Sequence, residues 1–171
     1  GDVYKRQHYY GGIKKYQWVA LPLALHGVVV KKDGTTVTLN IGDKPGDPVF
    51  YISDLLIHLA ADQMGKTAAK VIEGDSLNII IGSEPKKDTD KDPVKTAILD
   101  ILKEQYSIDE EDFISAELEA VPAGHARDLG FDRSMIMGYG HDDRVCAYPS
   151  MAAVVNYEGT PEYTLAAVLT D

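Results

Sequence analysis

The sequence predicts an α/β protein: a β-rich body with two helices, followed by a helix and a strand of the kind that builds a parallel sheet. Three observations carry this expectation. β-Branched and aromatic residues crowd the stretch from Tyr9 to Gly42 and are split by Asp33-Gly34, a dipeptide suited to the positive φ angles of a tight hairpin. Two later segments repeat apolar residues at helical spacing. The last segment, from Thr164 onward, is almost continuously apolar, as are strands buried on both faces.

The elements follow in order. Ser53-Asp54 can cap a helix through Leu55, Leu56, Leu59 and Ala60, with Gly65 or Gly74 as stops. Leu77 to Ile81 is a short β-branched run, and the charges and prolines of SEPKKDTDKDP mark a solvated loop. Asp92 as N-cap and Pro93 at the first helical position open a second helix, whose stripe of Val94, Ala97, Ile98, Ile101 and Leu102 leads to Tyr106. From Ile114 to Ala120 apolar residues alternate with Ser115, Glu117 and Glu119, the pattern of an edge or outer strand with one wet face. Phe131 to Met137 adds another strand, and the remainder reads as loop, helix, turn and buried strand.

Composition narrows the function classes. The 171 residues are 44% hydrophobic and 26% charged, which suits a folded globular chain of one or two units. A formal charge of -10 opposes nucleic-acid binding, which draws its affinity from Lys and Arg on phosphates. The longest apolar stretch, Trp18 to Val30, is broken by Pro22, His26 and Gly27, so no membrane span is expected. A lone Cys146 cannot form an intramolecular disulfide or a thiolate zinc cluster and points to a reducing, cytoplasmic setting. The opening GDVYKRQ, residues 1–7, resembles translated sequencing adapter and is set aside as a non-native leader.

Few residues carry chemistry by pattern alone. His141-Asp142-Asp143 could offer nitrogen and oxygen ligands to a divalent metal, or one aspartate could simply cap the helix that follows. His26 lies in an apolar β-type run, where a hydrogen-bonded structural histidine is the plain alternative to a functional one. His58 and His125 read as solvent or structural residues, Cys146 as a small buried apolar residue, and Trp18 as a packing anchor. No HExxH, GxSxG, Walker or GxGxxG signature occurs.

Four stretches together, YYGGIKKYQW, LPLALHG, DFISAELEAVPAGHARDLGFDRSMIMGYG and HDDRVCAY, closely resemble the bacterial branch of the aspartyl aminopeptidase family of zinc metallopeptidases, with similarity from about His8 to Asp171. The resemblance implies an enzyme that removes N-terminal residues from peptides. Its catalytic α/β domain carries two divalent metals, most simply zinc, and an inserted domain makes dimers that build a larger homo-oligomer. On this reading residues 8–137 are the β-rich dimerisation domain and 138–171 a helix and strand of the catalytic domain.

The resemblance also assigns residues. Asp143 matches the carboxylate that bridges the two ions, and His26 matches a histidine that enters the neighbouring protomer's active site. A histidine-x-aspartate ligand motif is expected before Tyr9, and a Lys-Glu-Glu segment with the general base after Asp171, so this chain is expected to be internal and, alone, to bind zinc poorly. The competing expectation is a non-catalytic dimerisation module. Pro149 departs from the family pattern: either the helix kinks there or it starts later, which bears on the placement of Asp143.

Overall fold

The computed structural model describes residues 12–169, and the expectation of a leader at 1–7 lies outside the described residues. The chain divides into two compact units, Gly1–Gly124 and His125–Asp171. Helix and sheet are mixed, and every strand pair among the described residues is antiparallel.

The first unit is organised by strand β1, Pro22–Val30. Strand β2, Thr36–Ile41, runs back along it with Leu25 opposite Ile41 and Val30 opposite Thr36. The turn falls where anticipated but is longer than a two-residue hairpin turn, with β1 ending at Val30 and β2 starting at Thr36: of the dipeptide only Gly34 takes positive φ, +85°, and Asp33 accepts from the Thr35 N–H and hydroxyl at 2.9 and 2.6 Å. The Thr35 hydroxyl, then its N–H, holds the Asp33 carboxyl below the usual carboxylate range. The two-residue β3, Phe50–Tyr51, adds to the start of β1.

Strand β4, Ala116–Pro122, pairs with β1 from Leu23 to Val29. Residues 25–29 of β1 face both β2 and β4, so these partners occupy opposite edges, and β4 is the edge strand the alternation predicted. Glu117 and Glu119 are exposed while Ala116, Leu118 and Ala120 are half-buried.

Two apolar clusters sit on this sheet. Leu23 joins Val19, Ile52 and Ile72, with Trp18 packed against them as a packing anchor should be. Val29 joins Leu39, Ile41 and Ile108, and Phe50 touches both clusters. Each such side chain contributes roughly 1.5–3 kcal/mol when fully buried.

The helices are corrected in detail. In place of a helix from Ser53 there is a single 3-10 turn, Ile57–Leu59, and a four-residue helix α1, Ala61–Met64, that stops at Gly65. Asp54 binds the adjacent Leu55 N–H and the Gln63 side chain instead of a helical N–H. Leu55, Leu56, Ile57 and Leu59 stay exposed, so no burial repays the cost of helix nucleation. The run at Leu77 to Ile81 forms one bridge, Ile80 with Tyr51.

Helix α2, Pro93–Tyr106, has the expected bounds. Its Asp92 side chain makes no cap bond; Asp92 lies in the left-handed region and its carbonyl accepts from Thr96 instead. The helix ends on left-handed Ser107, which swings Ile108 into the second cluster.

The second unit contains a short hairpin, β5 Arg127–Leu129 with β6 Met135–Met137, and helix α3, His141–Val155. The apolar run after Thr164 forms no strand: Leu165, Val168 and Leu169 are exposed, and an extended segment needs a neighbouring ladder that no described residues provide.

Gly27 is a point of close approach between β1 and β4. At φ +146° its backbone lies so near β4 that an added Cβ would fall 2.0 Å from the Glu117 carbonyl oxygen. Gly27→Ala is therefore expected to cost about 1–3 kcal/mol or more, through overpacking and strain. Urea unfolding measures this, and an unchanged midpoint would show that β4 does not approach β1 this closely.

Candidate functional site

Residues bearing candidate chemistry occur in both units, and each is described within its own. In the first, His26 occupies the middle of β1, opposite Asn40 of β2 and Glu119 of β4. Directly paired residues share a sheet face, and on this face the neighbours Thr38, Asn40, Glu117 and Glu119 are polar and exposed. The apolar cluster of Val29, Leu39 and Ile41 belongs to the opposite face by the alternation of the strands.

His26 is half-buried, and its Nε2 lies 2.7 Å from Asp43 Oδ2. The other Asp43 oxygen accepts from the Gly124 N–H at 3.1 Å. Sequence reasoning did not single out Asp43. The usable signal was weak: a Gly-Asp pair directly after a strand, in NIGDKPGD, marks a turn whose carboxylate can reach back toward the sheet.

In the second unit, Gly140 precedes α3 at φ +82°. Asp142 and Asp143 then depart from helical geometry, with φ/ψ of -90°/109° and -120°/30°, and they are joined by a cis peptide bond. Regular turns therefore begin after Asp143, and Pro149 sits within them; the break lies at the acidic pair. The N-cap position, Gly140, carries no side-chain cap bond.

Asp143 is exposed. Interaction with the neighbouring Asp143 carboxylate, first by hydrogen bonding and then by its charge, pushes the Cys146 thiol pKa up, with desolvation and the Asp142 charge adding to it. Cys146 is itself exposed, which corrects the expectation of a small buried residue. The apolar residues on its helix, Val145 and Met151, are exposed as well and leave it no interior to enter.

As an anionic oxygen donor in open solvent, Asp143 suits a divalent ion such as zinc, manganese or cobalt. No group of three or more His, Cys, Asp or Glu positioned to hold a metal occurs among the described residues. His58 is exposed in the 3-10 turn, and His125 is exposed in a loop. Among the described residues, no helix is long and apolar enough to cross a membrane.

Residues 3–170 match the family described as aminopeptidase I zinc metalloprotease (M18). A probable M18 family aminopeptidase 1 of Clostridium acetobutylicum is 61% identical over 165 residues, covering 96% of this chain and 35% of that protein. The crystal structure of an M18 family aminopeptidase from Thermotoga maritima superimposes with TM-score 0.79 at 49% identity, over 91% of this chain and 34% of that one. That of aminopeptidase I from Clostridium acetobutylicum gives TM-score 0.76 at 64% identity, over 88% and 33%. The chain thus spans about a third of the length of the relatives it matches.

The Asp143–Cys146 contact has a chemical readout in metal-free protein. A raised thiol pKa leaves less thiolate at a given pH, so alkylation of Cys146 by iodoacetamide near pH 8.5 is expected to be slower than that of an ordinary exposed cysteine. Asp143→Asn removes the anion and should speed it several-fold. Equal rates for the two proteins would exclude the contact.

Proposed function

The chain belongs to the M18 family of aminopeptidase I zinc metalloproteases, and from that premise we propose that it forms one segment of a longer zinc-dependent aminopeptidase acting on the N-termini of peptides. In this reading residues 8–137 are the inserted dimerisation domain and 138–171 belong to the catalytic domain. Dimers build a larger homo-oligomer, and the lone thiol of Cys146 suits a reducing cytoplasm. The observation that carries the reading is the exposed Asp143 carboxylate, placed where the backbone leaves helical geometry and α3 takes up its regular turns.

As a bridging carboxylate, Asp143 would help to hold two ions and would offset part of their charge. Asparagine cannot do this. When bound, two such ions would supply Lewis-acid polarisation of the scissile carbonyl and acidification of a water. The remaining ligands and the general base must come from residues outside those described. His26 would act in the neighbouring protomer's site, donating a hydrogen bond to oxygen charge that develops as the carbonyl is attacked.

A second reading has its own support, because the described residues hold no complete ligand set. By itself this 171-residue chain then behaves as a dimerisation module. Size-exclusion chromatography with zinc titration separates the two: a metal-independent dimer fits the module, whereas tight stoichiometric uptake by this chain alone would require a self-contained site.

For the longer protein, hydrolysis of aminoacyl substrates in the presence of zinc, cobalt or manganese is the expected result, with Asp143→Asn losing on the order of 100-fold or more in turnover. Wild-type turnover in that variant would reject the bridging role. No hydrolysis by the wild type with any of the three metals would reject the aminopeptidase.

A further inference from the structure

A neutral imidazole has one donor nitrogen and one acceptor, and the hydrogen bond made by one nitrogen decides which of them carries the proton. The position of Asp43 against His26 is set by several backbone devices. Gly42, buried at φ +114°, passes over Ala24 so closely that an added Cβ would lie 2.8 Å from the Ala24 Cα. Asp47 accepts from the N–H groups of Gly42 and Lys44, both at 3.1 Å, and so clamps the turn on either side of Asp43. Asp43 in turn spans from the Gly124 N–H, just past β4, to the ring on β1.

The Asp43 side chain is 17% exposed and that of His26 36%. A carboxylate fastened at both oxygens and largely shielded from water orients a ring more firmly than a surface ion pair does.

We propose that Asp43 is the positioning residue of His26, holding Nε2 so that Nδ1 is the nitrogen presented to a substrate oxygen. The inference rests on the reading of His26 given above and adds to it which atom works and what aims it. Among the described residues no hydrogen bond reaches Nδ1. In the neutral ring Nε2–H donates to Asp43. When the ring is protonated both nitrogens donate, and this is the form in which Nδ1–H can be given to the substrate oxygen. Among the described residues, the groups near this face include Glu119 opposite on β4, Glu117 beyond it, the uncharged Thr38 and Asn40 of β2, and Lys44 beside Asp43.

Asp43→Asn tests the assignment sharply. Its amide oxygen is retained by the Gly124 N–H, which turns the amide NH2 toward Nε2. Nε2 must then accept, and the ring proton moves to Nδ1.

In the full-length protein, long-range 1H–15N spectra of the neutral ring should show the Nε2–H tautomer in wild type and Nδ1–H in Asp43→Asn. Steady-state kinetics should show kcat down about tenfold in both Asp43→Asn and Asp43→Ala, with KM little changed. Neither substitution should lower kcat further in a His26→Ala background. Wild-type turnover in His26→Ala would overturn the underlying reading of His26. A normal loss there, combined with an unchanged tautomer or wild-type kcat in Asp43→Asn, would overturn the positioning role alone. Equal losses from the Asp43 substitutions in both backgrounds would do the same.

Discussion

Strand β1 has hydrogen-bonded neighbours along both edges, β2 and β3 on one side and β4 on the other, and the first unit depends on that double pairing. A strand in this position has its backbone groups satisfied by the ladder, and its side chains divide cleanly between the two faces. Leu23 and Val29, both fully buried, seed the two apolar clusters. His26, between them in sequence, points to the other face. The close approach at Gly27 draws β4 in, and its far end then brings the Gly124 N–H to the carboxylate that His26 contacts. Packing and chemistry are therefore not separable here: a change of register in β1 would exchange the core face for the histidine face.

In the second unit the chemistry depends on backbone geometry. Asp143 does not sit within regular helical turns but just before them. A side chain at such a break is not committed to the helix surface, and the Asp143 carboxylate remains exposed, close enough to the Cys146 thiol to raise its pKa. Among the described residues it lacks enough neighbouring donors to complete a metal site.

Local chemistry was legible in the sequence wherever it was decisive. Asp33-Gly34 marked the place of the first turn, Pro93 the start of α2, and the alternation through Glu117 and Glu119 specified β4 as an edge strand, because each depends on a short-range rule. Leu55 to Ala60 misled because apolar spacing nucleates a helix only where something covers it. The run after Thr164 misled similarly, since a buried strand is defined by neighbours its own residues do not reveal. Of the candidate site, His26 and Asp143 were identified through family resemblance, not by pattern. Asp43 was missed because its partner lies across a turn, and spacing does not encode that contact.

The most direct test of the central claim is anomalous diffraction from crystals of the zinc-loaded full-length protein. The account expects two zinc peaks about 3.5–4 Å apart, with one Asp143 oxygen about 2.0–2.2 Å from each. Zinc peaks with the Asp143 carboxylate bound to neither would contradict it.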